Sequence, residues 1–176
     1  MAASVALAWL ILRVVVGLTL AAHGAQKLFG WFEGPGMAKW DQGLRSQGFK
    51  PSWFWAWLNI VGELGGGLSL VFGFLTPLGA AGAFGAMFMA MFKTHWKNGF
   101  FNSKRGIEFT LALMAISVAI GLAGPGQLSL DTLFGIHLPS PWLFLILAVV
   151  ALVVDLVGIA MTRPSASAQA APRQSA

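Results

Sequence analysis

Apolar positions along this chain come in runs too long for ordinary core segments. Five stretches, residues 5–25, 53–75, 78–96, 106–124 and 142–162, are almost continuously hydrophobic. A helix rises about 1.5 Å per residue and needs roughly 20 residues to cross about 30 Å of hydrocarbon, so each stretch is long enough to span a bilayer. The second and third are separated by little more than Thr76-Pro77. Proline stops one helix and can start the next, which predicts an antiparallel helical hairpin. Residues 30–52 read differently: Gly34-Pro35-Gly36 and Pro51 break the pattern, and Met37, Trp40 and Leu44 recur at helical spacing beside Lys39, Asp41 and Arg45. That is the signature of a short amphipathic helix lying on a membrane interface. Residues 163–176 are mostly Ser, Ala, Gln and Pro and are predicted to form a disordered tail after a transmembrane domain over 1–162.

Composition sharpens this picture. Of 176 residues, 57% are hydrophobic and 10% charged, against about 25% charged in soluble domains. Intrinsic disorder of the whole chain and a disulfide framework are both excluded, the latter because there is no cysteine. The same absence removes a thiolate nucleophile and a cysteine-held iron–sulfur cluster from the available chemistry. A net charge of +5 would ordinarily suggest an acidic partner. Its placement says otherwise. With five crossings, ten of the eleven Lys and Arg fall on one side, in the loop after the first stretch, the loop after the third, and the tail. Since cytoplasmic loops collect positive charge, the N-terminus is predicted outside and the C-terminus in the cytoplasm of a bacterial inner membrane. The surplus is thereby assigned to orientation and not to nucleic acid. A cleaved signal peptide over residues 1–24 is the rival reading of the first stretch. It would translocate the basic first loop, and the charge distribution opposes it.

Small residues at four-residue spacing, Gly17 and Ala21 in the first stretch and Gly62 and Gly66 in the second, predict close helix packing. Ionisable residues inside such stretches are more informative, because an unpaired charge at the bilayer centre costs at least about 2.5 to 3.5 kcal/mol. Arg13 and Glu63 lie at similar depths when counted from Val5 and Trp53, which predicts an intramembrane ion pair with Asn59 as a possible third member. A second polar group gathers at the cytoplasmic edge: His23, Gln26 and Lys27 on the first helix, His95 and Asn98 after the third, Glu108 on the fourth, and Asp155 reaching toward them from the fifth. Lys93 also lies there and is expected to snorkel outward. Such a cluster can relay protons or bind a polar head group. Two histidines without a ligand-spacing motif are weak evidence for haem or metal, and no metal site is assigned.

Several strings occur in a specific order: His23-Gly24, Gln26-Lys27-Leu28-Phe29-Gly30-Trp31-Phe32, Gly34-Pro35-Gly36, Gly62-Glu63-Leu64-Gly65-Gly66-Gly67, Asn98-Gly99-Phe100-Phe101, Glu108, and Gly124-Pro125-Gly126 with Leu128-Ser129-Leu130-Asp131. Together they resemble the DoxX family of small bacterial integral membrane proteins over roughly residues 10–135. The resemblance implies a four-helix transmembrane core, to which the stretch at 142–162 adds a fifth C-terminal helix. It also implies polar family positions at Arg13, His23, Lys27, Glu63, His95, Asn98 and Glu108. Relatives are associated with the membrane part of thiosulfate:quinone oxidoreductases and with other redox or oxidative-stress assemblies.

Two functions of different kind follow as expectations. The first is a subunit of a redox-associated complex that binds quinone by its polar cluster. No flavin or dinucleotide fingerprint and no other redox centre is evident, so electrons would come from a redox partner protein. The second is a non-catalytic membrane anchor or assembly factor, contacting the lipid bilayer and a partner through the basic face. A lipid-binding, small-molecule-binding or transport role is a further alternative. Whether the chain is an enzyme is left open by its residues.

Overall fold

The computed structural model describes residues 3–162, and the predicted tail at 163–176 lies outside them. The described residues are all-helical, with no strand among them. Helix α1 (Ala3–Phe29) leads through a Gly-rich loop to α2 (Gly36–Ser46), the amphipathic segment. Next, α3 (Ser52–Ile60), a π-helical turn (Val61–Gly65) and α4 (Gly66–Phe72) run on as one rod. Helix α5 (Thr76–Ala90) continues into a second π turn (Met91–His95), and α6 (Glu108–Ala123), the single-turn α7 (Leu130–Leu133) and α8 (Trp142–Met161) complete the chain. By length and composition α1 and α8 can each cross a membrane, and α6 is a shorter apolar helix.

Close packing centres on the rod 52–72, and glycine makes it possible. A Cβ on Gly17 would overlap the backbone of Gly67 and Val71, one on Gly67 would meet Ala21, and one on Gly24 would meet Leu64. On the other side, Gly62 and Gly66 lie against the backbone of Gly82 and Gly79 in α5. Small residues let helix backbones touch, so that dispersion and fixed geometry replace the hydrophobic drive that lipid surroundings remove. The buried stripe of α1 follows the helical period through Arg13, Val16, Gly17, Leu20, Ala21 and Gly24. The opposite face, with Val5, Leu7, Ile11, Val15 and Leu18, is equally apolar yet exposed. A helix hydrophobic on all sides is suited to lipid.

Helix α8 packs at the periphery, where its buried residues are Phe144, Asp155 and Gly158. Phe144 covers Gly121 of α6, Ala151 meets Gly85 of α5, and Gly158 accepts the ring of Trp55. Helix α2 seats Leu44, with Phe49 just beyond it, on Trp55 and Ala56. It therefore caps one end of the bundle as well as presenting an amphipathic face.

The opposite end is closed by the segment 124–137. Asp131 is buried and accepts from Leu75 N (2.7 Å), Thr76 N (3.0 Å) and Thr76 Oγ1 (2.8 Å), which satisfies the first N–H groups of α5. Its own N–H donates to Gly73 O at 2.9 Å. Gly73 takes a left-handed conformation (φ +61°), and a side chain there would overlap the Arg13 guanidinium. Arg13 donates through Nη2 to Leu128 O, and Trp9 Nε1 donates to Gly124 O at 2.9 Å. One carboxylate thus caps a helix, joins two distant segments and supplies the anion nearest in effect to a buried arginine. Asp131→Ala should destabilise the protein by about 3 kcal/mol, and Asp131→Asn, which keeps one acceptor oxygen, by less. Thermal unfolding in mild detergent checks the order, and an alanine variant as stable as wild type would refute the capping role.

Candidate functional site

The antiparallel register of α1 on the rod 52–72 decides which charges meet. Gly17 lies opposite Val71, Ala21 opposite Gly67 and Gly24 opposite Leu64. Glu63 is therefore level with Ala25, twelve residues from Arg13, or about 18 Å along the axis. The expected Arg13–Glu63 pair does not form. Depths counted from Val5 at one face and Trp53 at the other put Trp53 level with the inner end of the first run, whereas the glycine register sets Asn59 level with Phe29, so the first turns of the rod extend past the end of α1. Lys27, two residues from that end, reaches back instead: its Nζ is 2.5 Å from Glu63 Oε1 and 2.7 Å from Asn59 Oδ1. Asn59 and Glu63 are one turn apart and share a face, as expected, but the cation between them comes from the edge cluster.

This triad is shielded. Glu63 is 1% exposed, and the Lys27 ammonium lies 4.5 Å from the centre of the Trp40 ring. Glu63 sits in the first π turn. Such turns insert an extra residue into the helical repeat and recur at functional sites, since they shift side chains off the regular stripe. The second π turn holds Lys93 and His95. Glu63 Oε2 is buried and has no hydrogen-bond partner.

Both π turns border a cavity of about 1230 Å³ that runs beside α5, from Phe74 and Leu75 at one end to Lys93 and His95 at the other. Gly79, Gly82 and Gly85 line it along α5. Apolar walls come from Leu58, Val61 and Leu68 on the rod and Leu147, Val150 and Val154 on α8. Polar groups concentrate toward the end bearing the basic residues: His23, Lys27, Asn59, Glu63, Lys93, His95 and Asp155 all line it. Asp155, 5% exposed, faces Gly85 and leaves Oδ2 without a partner. Lys93 does not reach outward freely as expected. Its Nζ donates to Thr162 Oγ1 at 2.8 Å and lies 5.1 Å from the Phe49 ring centre.

The edge cluster read from the sequence therefore divides. His23, Lys27, His95 and Asp155 share the cavity, His23 with its ring edge-on to Phe109 at 5.8 Å. Gln26, Asn98 and Glu108 are among the residues that shape loops. Gln26 Nε2 donates to Phe32 O at 3.2 Å, Asn98 Nδ2 to Arg105 O at 3.1 Å, and Glu108 Oε2 accepts from Asn102 N at 2.9 Å. His95 has both roles, since its Nδ1 is 2.7 Å from Arg105 O. Sequence reasoning gave no role to Asp131, whose string Leu128-Ser129-Leu130-Asp131 was in view. A serine able to cap a helix, followed two residues later by an acid, was the available signal, and Ser129 Oγ does accept from Thr132 N at 3.2 Å.

A double-mutant cycle tests the pairing. Lys27→Met and Glu63→Gln should couple by about 1 to 3 kcal/mol in detergent unfolding, whereas Arg13→Met and Glu63→Gln should be additive within about 0.5 kcal/mol. The reverse pattern would restore the Arg13 pair.

Comparison with known proteins gives one positive finding. No match was found among curated proteins, and none among solved structures. The DoxX family profile matches residues 8–96, about half of the chain. That region holds α1, α2, the rod 52–72, α5 and both π turns, and with them the Lys27–Glu63–Asn59 triad and most of the cavity lining. By this match the chain belongs to the DoxX family, and is accordingly a membrane protein whose apolar outer faces meet the lipid bilayer.

Proposed function

We propose that this DoxX protein is the membrane subunit of a redox-associated complex and binds quinone in the cavity beside α5. The carrying observation is the cavity's two-part chemistry: apolar walls along its length suit an isoprenoid or alkyl tail, and the Lys27–Glu63–Asn59 triad with His23 and His95 gathers at one end for the head. The Lys27 ammonium and the imidazoles can donate to quinone oxygens, while Glu63 holds Lys27 in place. Electrons come from a partner, because this chain offers positioning and proton-bearing groups and no cysteine. On this reading four crossings plus α8 span the bilayer, and the one-sided Lys and Arg distribution, with exposed Trp31, Trp53, Trp57 and Trp96 near the basic face, supports an N-terminus outside and that face in the cytoplasm.

A second reading, an anchor or assembly factor, is favoured by that same face, where Lys39 and Arg45 on the capping helix α2 and Lys50 just after it suit an acidic protein or anionic lipid. Extraction of the purified protein followed by mass spectrometry separates the two. Copurified quinone, reduced at least fivefold by Lys27→Met, is expected; a clean wild-type extract would overturn the quinone reading. Orientation has its own check in a chain free of native cysteine. In intact cells an impermeant maleimide should label Leu133→Cys, a site 73% exposed, and should label Ser103→Cys only after permeabilisation. The opposite labelling would invert the topology.

A further inference from the structure

Helix α8 lies beyond the family match, yet it forms one side of the cavity. Both α8 and the rod 52–72 pack on α5: Ala151 meets Gly85, while Gly62 and Gly66 meet Gly82 and Gly79. The rod and α8 touch each other where the Trp55 ring seats on Gly158, toward the basic end. From that contact, Leu58, Leu68 and Phe72 on the rod and Val154, Val150 and Leu147 on α8 all line the cavity. It is therefore a cleft between two helices, with α5 behind it. The cleft opens outward, because residues lining a closed chamber are buried, whereas Leu68 is 41% exposed and Val150 53%. Both are apolar and lie at mid-helix depth: the glycine register sets Leu68 level with Leu20 of α1, and Val150 is near the middle of α8. The mouth faces lipid.

From Glu63 to Phe72 the rod advances only about 14 Å. A polyisoprenoid tail whose head lies at the Lys27–Glu63–Asn59 triad is longer than that and must leave the protein. Passing through this mouth keeps the tail in hydrocarbon, whereas each CH₂ carried through water costs about 0.8 kcal/mol. We propose that the cleft between the rod 52–72 and α8 is a lateral portal: quinone enters the cavity through it from the lipid, and its tail projects back through it into the bilayer. This rests on the quinone reading above and adds to it the route of the ligand and the role of α8, which forms one side of the opening.

A nitroxide attached to the full-length chain at Leu68→Cys or Val150→Cys, in phosphatidylcholine liposomes, reads what fills the mouth, since no native cysteine competes for the label. Both positions should be more accessible to oxygen, which concentrates in hydrocarbon, than to a nickel chelate confined to water. Added decyl-benzoquinone should lower the oxygen accessibility of both at least twofold and leave Val15→Cys, on the exposed outer face of α1, unchanged. Trp40 and Trp55 line the cavity, so quenching of tryptophan fluorescence follows binding on the same samples. Val150→Phe, which narrows the mouth, should slow that quenching at least threefold, and Val15→Phe should not. Nickel-dominated accessibility would make the mouth aqueous, and spin–spin broadening that vanishes on dilution with unlabelled protein would put a second copy there. Either result, or quenching with no change at the two labels, overturns the portal and leaves the quinone reading standing. A wild-type protein with no saturable quenching removes both.

Discussion

The partners of Lys27, Glu63 and Arg13 depend on the backbone contact between α1 and the rod 52–72. Because Gly17, Gly24 and Gly67 allow the helices to touch, their axial register has almost no freedom. Slipping it by a single turn would drive a Cβ or a bulkier group into backbone. Once fixed, it sets Glu63 within reach of Lys27 and carries Arg13 to the α4–α5 turn. The polar groups do not choose their partners by depth; the glycines choose for them.

The consequence is a bundle with its buried charges handled separately at two ends. At one end Lys27 and Glu63 offset each other, with Asn59 and the Trp40 ring completing the shell. At the other, Arg13 is met by a carbonyl and by the field of Asp131, whose carboxylate is held by three donors from the start of α5. The first arrangement borders open volume and keeps a free carboxylate oxygen, while the second is tightly filled. That contrast separates a candidate site from a structural plug more clearly than the identities of the residues do, since Lys27 with Glu63 and Arg13 with Asp131 each bring together one cation and one anion.

Much of the fold was legible in the chain. Helices occupy all five apolar stretches and the amphipathic segment, because run length and periodicity are local properties. The small-residue spacing also foretold which faces touch. The two π turns and the pairing of Lys27 were not legible. Both follow from how far one helix slides along another, which hydrophobic run boundaries fix only to within a few residues. For the site, His23, Lys27, Glu63, His95 and Asp155 were identified as a matter of cost, since charge and imidazole in apolar stretches demand an explanation. Gln26, Asn98 and Glu108 drew the same attention but bond to nearby loops, a distinction that needs the loop conformations. The role of Asp131 is not legible in the sequence because it lies in a connecting segment, where an acid needs no explanation until the segment is folded over a helix end.

The Asp131 cap has a bearing on how the protein is made. Thr76 precedes its acceptor by 55 residues, and Arg13 precedes the Leu128 carbonyl by 115. At about 5 to 20 residues per second, the hairpin turn at Thr76 is made about 3 to 11 s before its cap exists, and Arg13 about 6 to 23 s before its acceptor. During that interval the first helix carries a guanidinium with no native partner. The nascent chain therefore passes through a stage in which its earliest segment is also its least settled, and synthesis of residues 124–131 ends it.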